Sequence, residues 1–485
     1  MAASKPSELP FLTTTGAEKP NPKLRKFIRS HVMLGKNRGK TLPPRKKIQK
    51  DVQSRSASIS EASSASQPGS EDTSTSPATA SQPIFPIAVP PKFGSDASTI
   101  GIIDTVEPEA IEIVLRFSSI AKQILFCLES CILFERRAEE WIAPMAVDSA
   151  YLHSRIFSSQ YFFDAILPRK PSTSSALTSS HYLKTIRLLR DRLEHDSDQV
   201  RLSNTTAAAV LSLACHAHIA GDSKSARHHL DGLRRIVNLR GGIATFRENS
   251  KLCDIGMVLH SGSKPAFFNN SSRAGNFPPY PNLTPFLELR GHSAADKYHT
   301  PAIYLDGIDK ELAQTWRVIS EFCAVINFAV QSEQRISTET FLDTMASVIY
   351  RLLDMRFDAN SKNEAIRLSL LAFSSSIFLH WKRFGMSYPH LVSVYKDCLA
   401  RMTLSEIPPQ LLLWILVVGA ISILDAANIE WLNPVLLTNI DICEIESWNT
   451  MQDLLKSFIW IGLIHDKPGK EVFDTALSYR RNSPP

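Results

Sequence analysis

Along Ser223–Arg240, the residues Ala226, Leu230, Leu233 and Val237 recur at i, i+4, i+7 and i+11, which lays one apolar stripe down a helix. Arg227, Asp231, Arg234 and Arg235 fall largely outside that stripe. Asp222 or Ser223 can cap the start, and Gly241–Gly242 supplies a left-handed stop. The preceding segment, Thr205–Ala220, is apolar on nearly every face and predicts a buried helix, with Gly221 turning the chain between the two. Such a helical hairpin needs other helices to cover it, and no second copy follows at a fixed period to make a repeat array.

Helical periodicity continues over about 107–140, 175–196, 306–331, 338–355, 362–384 and 408–425, while strand alternation is hard to find. The expected fold class is all-α, a multi-helical body of antiparallel helix pairs. Between Gly262 and Thr300 the pattern breaks at Pro265, Pro278, Pro279, Pro281 and Pro285. The body therefore divides into an N-terminal helical lobe at 101–262, a long irregular loop at 263–300 and a C-terminal helical lobe at 301–485. Its strongest apolar run, Leu411 to Leu424, is bounded by Pro408–Pro409 and Asp425. At 14 residues it falls short of the roughly 20 that span a bilayer, so it reads as a core helix and no membrane contact is expected.

Charge is distributed unevenly. Residues 1–55 carry 14 Lys and Arg against 3 Asp and Glu, whereas the rest of the chain carries 40 against 45. From Lys19 to Lys50 there are 12 basic residues and no acidic one. Residues 1–53 are a basic arm, expected to be disordered and to serve as a nuclear localisation segment or a phosphate contact through Lys23, Arg25, Lys26, Arg29, Lys36, Arg38, Lys40, Arg45, Lys46 and Lys47. Its partners would be an import receptor and nucleic acid held without sequence preference. Residues 54–100 form a disordered linker, since 11 of the 28 positions from Ser54 to Ser81 are serine and too little apolar surface is present to offset ordering entropy.

No catalytic motif is present in its required context. Gly221-Asp-Ser223-Lys-Ser225 lacks the last glycine of a nucleophile elbow and has no strand before it. Gly35-Lys-Asn-Arg-Gly39-Lys40-Thr41 is one residue short of a phosphate loop and also lacks the strand. The seven cysteines, at 127, 131, 215, 253, 323, 398 and 443, include no CxxC pair and read as buried thiols. Cys127 and Cys131 could share a helix face, but two thiolates leave a zinc site half built. His216 and His218, and likewise His228 and His229, diverge around a helix and read as solvated or hydrogen-bonded residues. No catalytic residue, cofactor or metal is expected, and an enzyme with a pocket between the lobes ranks behind two other readings. One is a nuclear regulator; the other is a cytoplasmic helical scaffold or adaptor.

Three stretches resemble a known family when taken in order. They are Lys23-Leu-Arg-Lys-Phe-Ile-Arg29-Ser-His-Val-Met33 with Lys36-Asn-Arg38, Ala226-Arg-His-His-Leu230-Asp-Gly232-Leu-Arg-Arg-Ile-Val237-Asn-Leu-Arg240-Gly-Gly242, and Leu411-Leu-Leu-Trp414-Ile-Leu-Val-Val-Gly419-Ala420 with Trp431 after it. Together they resemble proteins carrying the fungal-specific transcription factor domain. The resemblance implies a helical regulatory domain and residence in the nucleus; the leading expectation built on it is a regulator acting through transcriptional protein partners, with a metabolic gene cluster as one candidate target. Members commonly carry a Zn₂Cys₆ cluster that reads DNA, which needs six cysteines beginning with CxxC. Residues 1–126 contain no cysteine, so the resemblance does not carry that module over. A homodimer formed through an exposed apolar face is a further expectation of such a body.

Overall fold

Polar side chains cap the helices where the local sequence supplies them. Ser203 Oγ accepts the Thr206 amide, Asp222 Oδ1 that of Ser225, Ser337 Oγ that of Thr340 and Ser361 Oγ that of Glu364. The hairpin turn and stop need the left-handed region, and glycine takes it, with φ of 81° at Gly221, 100° at Gly241 and 104° at Gly242. A computed structural model describes residues 103–133, 142–165, 174–242, 250–267, 277–288, 302–332, 334–379, 387–402, 407–425 and 431–482, all within the unit Pro86–Pro485.

Helix dominates the described residues. The longer helices of the first half are α1 (Pro108–Leu125), α2 (Ser149–Ala165), α3 (Ser174–His195), α4 (Asn204–Ile219), α5 (Ser223–Leu239) and α6 (Ser250–Ser261). Those of the second half are α7 (Lys310–Ser332), α8 (Thr338–Asp354), α9 (Lys362–Phe378), α10 (Pro389–Arg401), α11 (Pro409–Ser422), α12 (Leu432–Ile442), α13 (Trp448–Lys456) and α14 (Gly462–Asn482). The all-α reading holds. A single parallel bridge, Ile132–Leu133 on Ile336–Ser337, adds two residues per strand, too few to leave an alternating pattern in the sequence.

Several elements differ from the periodicity. The first helix stops at Leu125 rather than running towards 140. There the chain enters a 3₁₀ turn at Glu129–Cys131 with Phe126, Leu128 and Cys131 buried, and the Cys127 thiol donates to the Ser376 and Ile377 carbonyls at 3.4 and 3.2 Å. Helices α2, α6, α10, α12, α13 and α14 were not apparent from periodicity. In α2, His153, Ser154, Ser159 and Gln160 are buried, so polar residues occupy the face that a pattern search reserves for apolar ones. In α6 both sides are apolar, because Cys253 and Met257 join one core cluster while Ile255 and Leu259 join another. The segment 277–283 lies irregular before a short helix at Thr284–Glu288. Arg351 holds it, stacking 4.2 Å over Tyr280 and donating to the Pro278 carbonyl at 2.7 Å.

Packing is organised around three apolar clusters among the described residues. The largest surrounds α11, whose residues Leu411 to Ala420 are all buried. Trp414 lies 4.9 Å from Trp316, ring to ring, and donates its indole N–H to the Ile459 carbonyl at 2.9 Å. The second covers the α4–α5 hairpin with Ala226, Leu230, Leu233 and Val237, the four stripe residues. The third joins α1 to α2 through Ile111, Val114, Leu152 and Ile156.

Two glycines test this packing in opposite directions. A Cβ at Gly419 would sit 2.7 to 2.9 Å from the Tyr395 ring and hydroxyl, which itself donates to Ile415 O at 2.6 Å. Gly419→Ala is therefore expected to cost about 1–3 kcal/mol by overpacking. A Cβ at Gly232, mid-helix in α5, would meet nothing within 4 Å. Gly232→Ala is expected to stabilise by about 0.5–1 kcal/mol through helix propensity and unfolded-state entropy. Urea midpoints of the two variants against the parent check both signs.

Candidate functional site

The residues assigned to import or phosphate contact, namely Lys23, Arg25, Lys26, Arg29, Lys36, Arg38, Lys40, Arg45, Lys46 and Lys47, lie outside the described residues. The candidate site within the helical body is therefore its polar interior, built where α2, α3, α4 and α6 meet their neighbours.

Three polar groupings lie there, buried to different degrees. At the first, Asp148 ends the chain entering α2 and receives Arg192 of α3 in a bidentate pair at 2.8 and 2.9 Å. The same guanidinium donates to Thr206 Oγ1 at 3.0 Å, at the start of α4. Burial alone would raise the Asp148 pKa, but Arg192, Thr205 and the Tyr151 amide hold the carboxyl below its ordinary value. One carboxylate thus fixes three helix ends together.

At the second, Asp104 Oδ2 receives Lys184 Nζ at 2.7 Å, Ser149 Oγ at 2.8 Å and His153 Nε2 at 3.1 Å. These donors, Lys184 first, hold its carboxyl far below the ordinary range. On the other side of the ring, His153 Nδ1 faces His181 Nδ1 at 2.6 Å. Burial lowers the pKa of both imidazoles.

At the third, Asp254 of α6 is fully buried and accepts the Ala266 amide at 2.7 Å on Oδ1, and the Phe267 amide at 3.2 Å and Tyr350 hydroxyl at 2.9 Å on Oδ2. Its pKa is raised because burial outweighs these donors. The group ties α6, the 266–267 backbone and α8 to a single side chain. Neither oxygen lacks a donor, so an amide in either orientation would set its NH₂ against one.

The metal candidates weighed in the sequence have other partners. Cys127 is committed to carbonyls of α9, and Cys131 contacts Ser130 Oγ. His216 packs among Phe157, Tyr161 and Tyr182, whereas His218 meets His260. His228 is exposed and His229 half-buried. Among the described residues, no group of three or more His, Cys, Asp or Glu side chains could hold a metal ion. No described helix is long and apolar enough to cross a membrane.

Asp104, His153, His181 and Asp254 escaped the sequence reading. His153 and His181 stand 28 positions apart, and no short spacing rule links residues across two helices. Asp254 left a usable signal, an acidic residue inside the otherwise apolar run Leu252–Leu259. Burying such a group demands donors, so it marks a junction.

Residues 117–261 match the family described as fungal specific transcription factor domain. The match runs from within α1 to the last residue of α6 and includes the whole α4–α5 hairpin. It points to a transcriptional regulator. No curated protein and no solved structure matches the chain.

Two measurements probe this interior. Asp254→Asn should cost about 1–3 kcal/mol by leaving a buried donor unmatched, and Tyr350→Phe, which leaves both backbone donors in place, should cost less; urea midpoints rank them. The buried histidines make stability pH-dependent. Burial lowers His218 to about 4 and His465 to about 3 from 6.5, with His153, His181, His216 and His229 shifted the same way. Because the unfolded chain takes up protons first, their contribution is complete above 6.5 and is lost as pH falls towards those folded-state values. The urea midpoint should therefore fall between about pH 7.5 and pH 5, and a midpoint that stays level contradicts the burial of neutral imidazoles.

Proposed function

We propose that the protein is a nuclear regulator of transcription that works through protein partners rather than by catalysis. The observation that carries this reading is the match of residues 117–261 to the fungal specific transcription factor domain. The hairpin at its centre gives physical support. Leu230, Leu233 and Val237 point into the core, while Lys224, His228, Arg235 and Asn238 are exposed along the outer side of α5. A helix held rigidly on one side and polar on the other suits recognition by a partner protein.

The basic arm supplies the second part of the proposal. Twelve Lys and Arg without an acidic residue between Lys19 and Lys50 match the acidic groove of an import receptor, and the same charges can pair with phosphates. Specific base reading is not assigned to the arm, because phosphate contacts position a protein without reading sequence. The choice of target genes, for which a metabolic gene cluster is the favoured class, then rests with partners.

Deleting residues 1–53 from the tagged full-length chain should abolish nuclear accumulation and reduce chromatin occupancy. Unaltered nuclear entry removes the role given to the arm. Chromatin occupancy indistinguishable from background in the intact chain overturns the regulatory reading itself and favours a cytoplasmic scaffold.

A further inference from the structure

His153 and His181 bring two Nδ1 atoms to 2.6 Å, with ring centroids 4.8 Å apart and both side chains buried. Two neutral imidazoles can hold that contact only if one Nδ1 carries a hydrogen and the other does not. Asp104 decides which. Its carboxylate accepts from His153 Nε2 at 3.1 Å, so the hydrogen of neutral His153 is on Nε2 and its Nδ1 is a bare acceptor. His181 must then donate from Nδ1. Donation runs in one direction, from His181 to His153 to Asp104.

This chain tolerates one added proton. On His181 Nε2 it leaves every existing hydrogen bond intact. On His153 Nδ1 it reverses the central bond once the His181 hydrogen moves from Nδ1 to Nε2. A second added proton has no such place, because it sets two N–H groups head to head across 2.6 Å. The surrounding charges do not rescue that state. Asp104 and Glu107, from the segment entering α1, attract a cation, but Asp104 is already engaged by Lys184 of α3, and Lys184 repels both rings.

We propose that Asp104, His153 and His181 form an acid-opened clasp, which fastens the segment where the chain enters the helical body onto α2 and α3 and lets go when both imidazoles are protonated. The clasp joins three elements through Asp104 on the entering segment, Ser149 and His153 on α2, and His181 and Lys184 on α3. Opening it separates α2 from α3 at their polar contact and frees Asp104 from its α2 donors, while the apolar clusters elsewhere stay closed. The device would make the attachment of the entering segment respond to pH independently of whether the protein regulates transcription.

Hydrogen exchange on the full-length chain, read by mass spectrometry at about pH 7.5 and pH 5 and corrected for intrinsic rates, tests the clasp. Peptides from 149–165 and 178–189 should lose at least about tenfold more protection than those from 411–420, tenfold being the effect of one proton over one pH unit. His181→Asn retains an amide donor towards His153 Nδ1 that does not titrate, and it should remove this difference. Equal losses in all three regions of the parent chain, or a difference that persists in His181→Asn, overturn the proposal; the first comparison needs no variant.

Discussion

Helix α6 is apolar on two sides, and the structure of the body depends on that. Cys253 and Met257 pack into the hairpin cluster, while Ile255 and Leu259, a little over half a turn round, pack into the cluster of α7 to α11. A helix exposed on neither side cannot leave one cluster without uncovering the other. Asp254 sits between the two faces and would be costly there were its oxygens not filled by Ala266, Phe267 and Tyr350. The carboxylate therefore adds direction to what apolar burial alone leaves non-directional. It sets where the backbone after α6 must run and which face of α8 it meets.

The matched region ends with this same helix. Its last element also packs on helices beyond the match, α10 and α8, with Ile255 and Leu259 joining the larger cluster. The matched region is thus completed by the second half of the chain in a literal, physical sense. In the proposed function, a hairpin with a fixed inner face and a solvated outer one gives partners a rigid surface. The cationic arm contributes long-range attraction that needs no fixed structure.

The polar interior has a common logic. Each of these acids is met by donors from more than one helix, as with Asp148 by Arg192 and Thr205 and the half-buried Asp104 by Ser149, His153 and Lys184. Breaking the Asp148 set leaves a charge without partners where little water reaches it. Such groups specify which helices meet more than they add to net stability, since desolvation consumes much of what the pairing returns. His465, fully buried against Ser376 Oγ at 3.0 Å and the Ile461 amide at 3.2 Å, does the same at the start of α14 with a neutral ring.

Local patterns in the sequence settled whatever depends on neighbours in the chain. The α4–α5 hairpin, the Asp222 cap, the glycine stop and the buried α11 follow from propensity, periodicity and the left-handed backbone that only glycine adopts freely. The excess of cations before residue 56 is likewise a property of composition alone. Tertiary structure decided the rest, because it concerns groups far apart in the chain. It buried polar residues in α2 where a pattern search expects apolar ones, made α6 apolar on two faces, and stopped α1 at Leu125 by drawing Phe126 and Leu128 into the core. It also brought His153 within 2.6 Å of His181 and Tyr350 onto Asp254, 96 positions away. No spacing rule could anticipate those meetings, since the partner of a buried polar group is fixed by which helices pack together, and packing is settled only when the whole core closes.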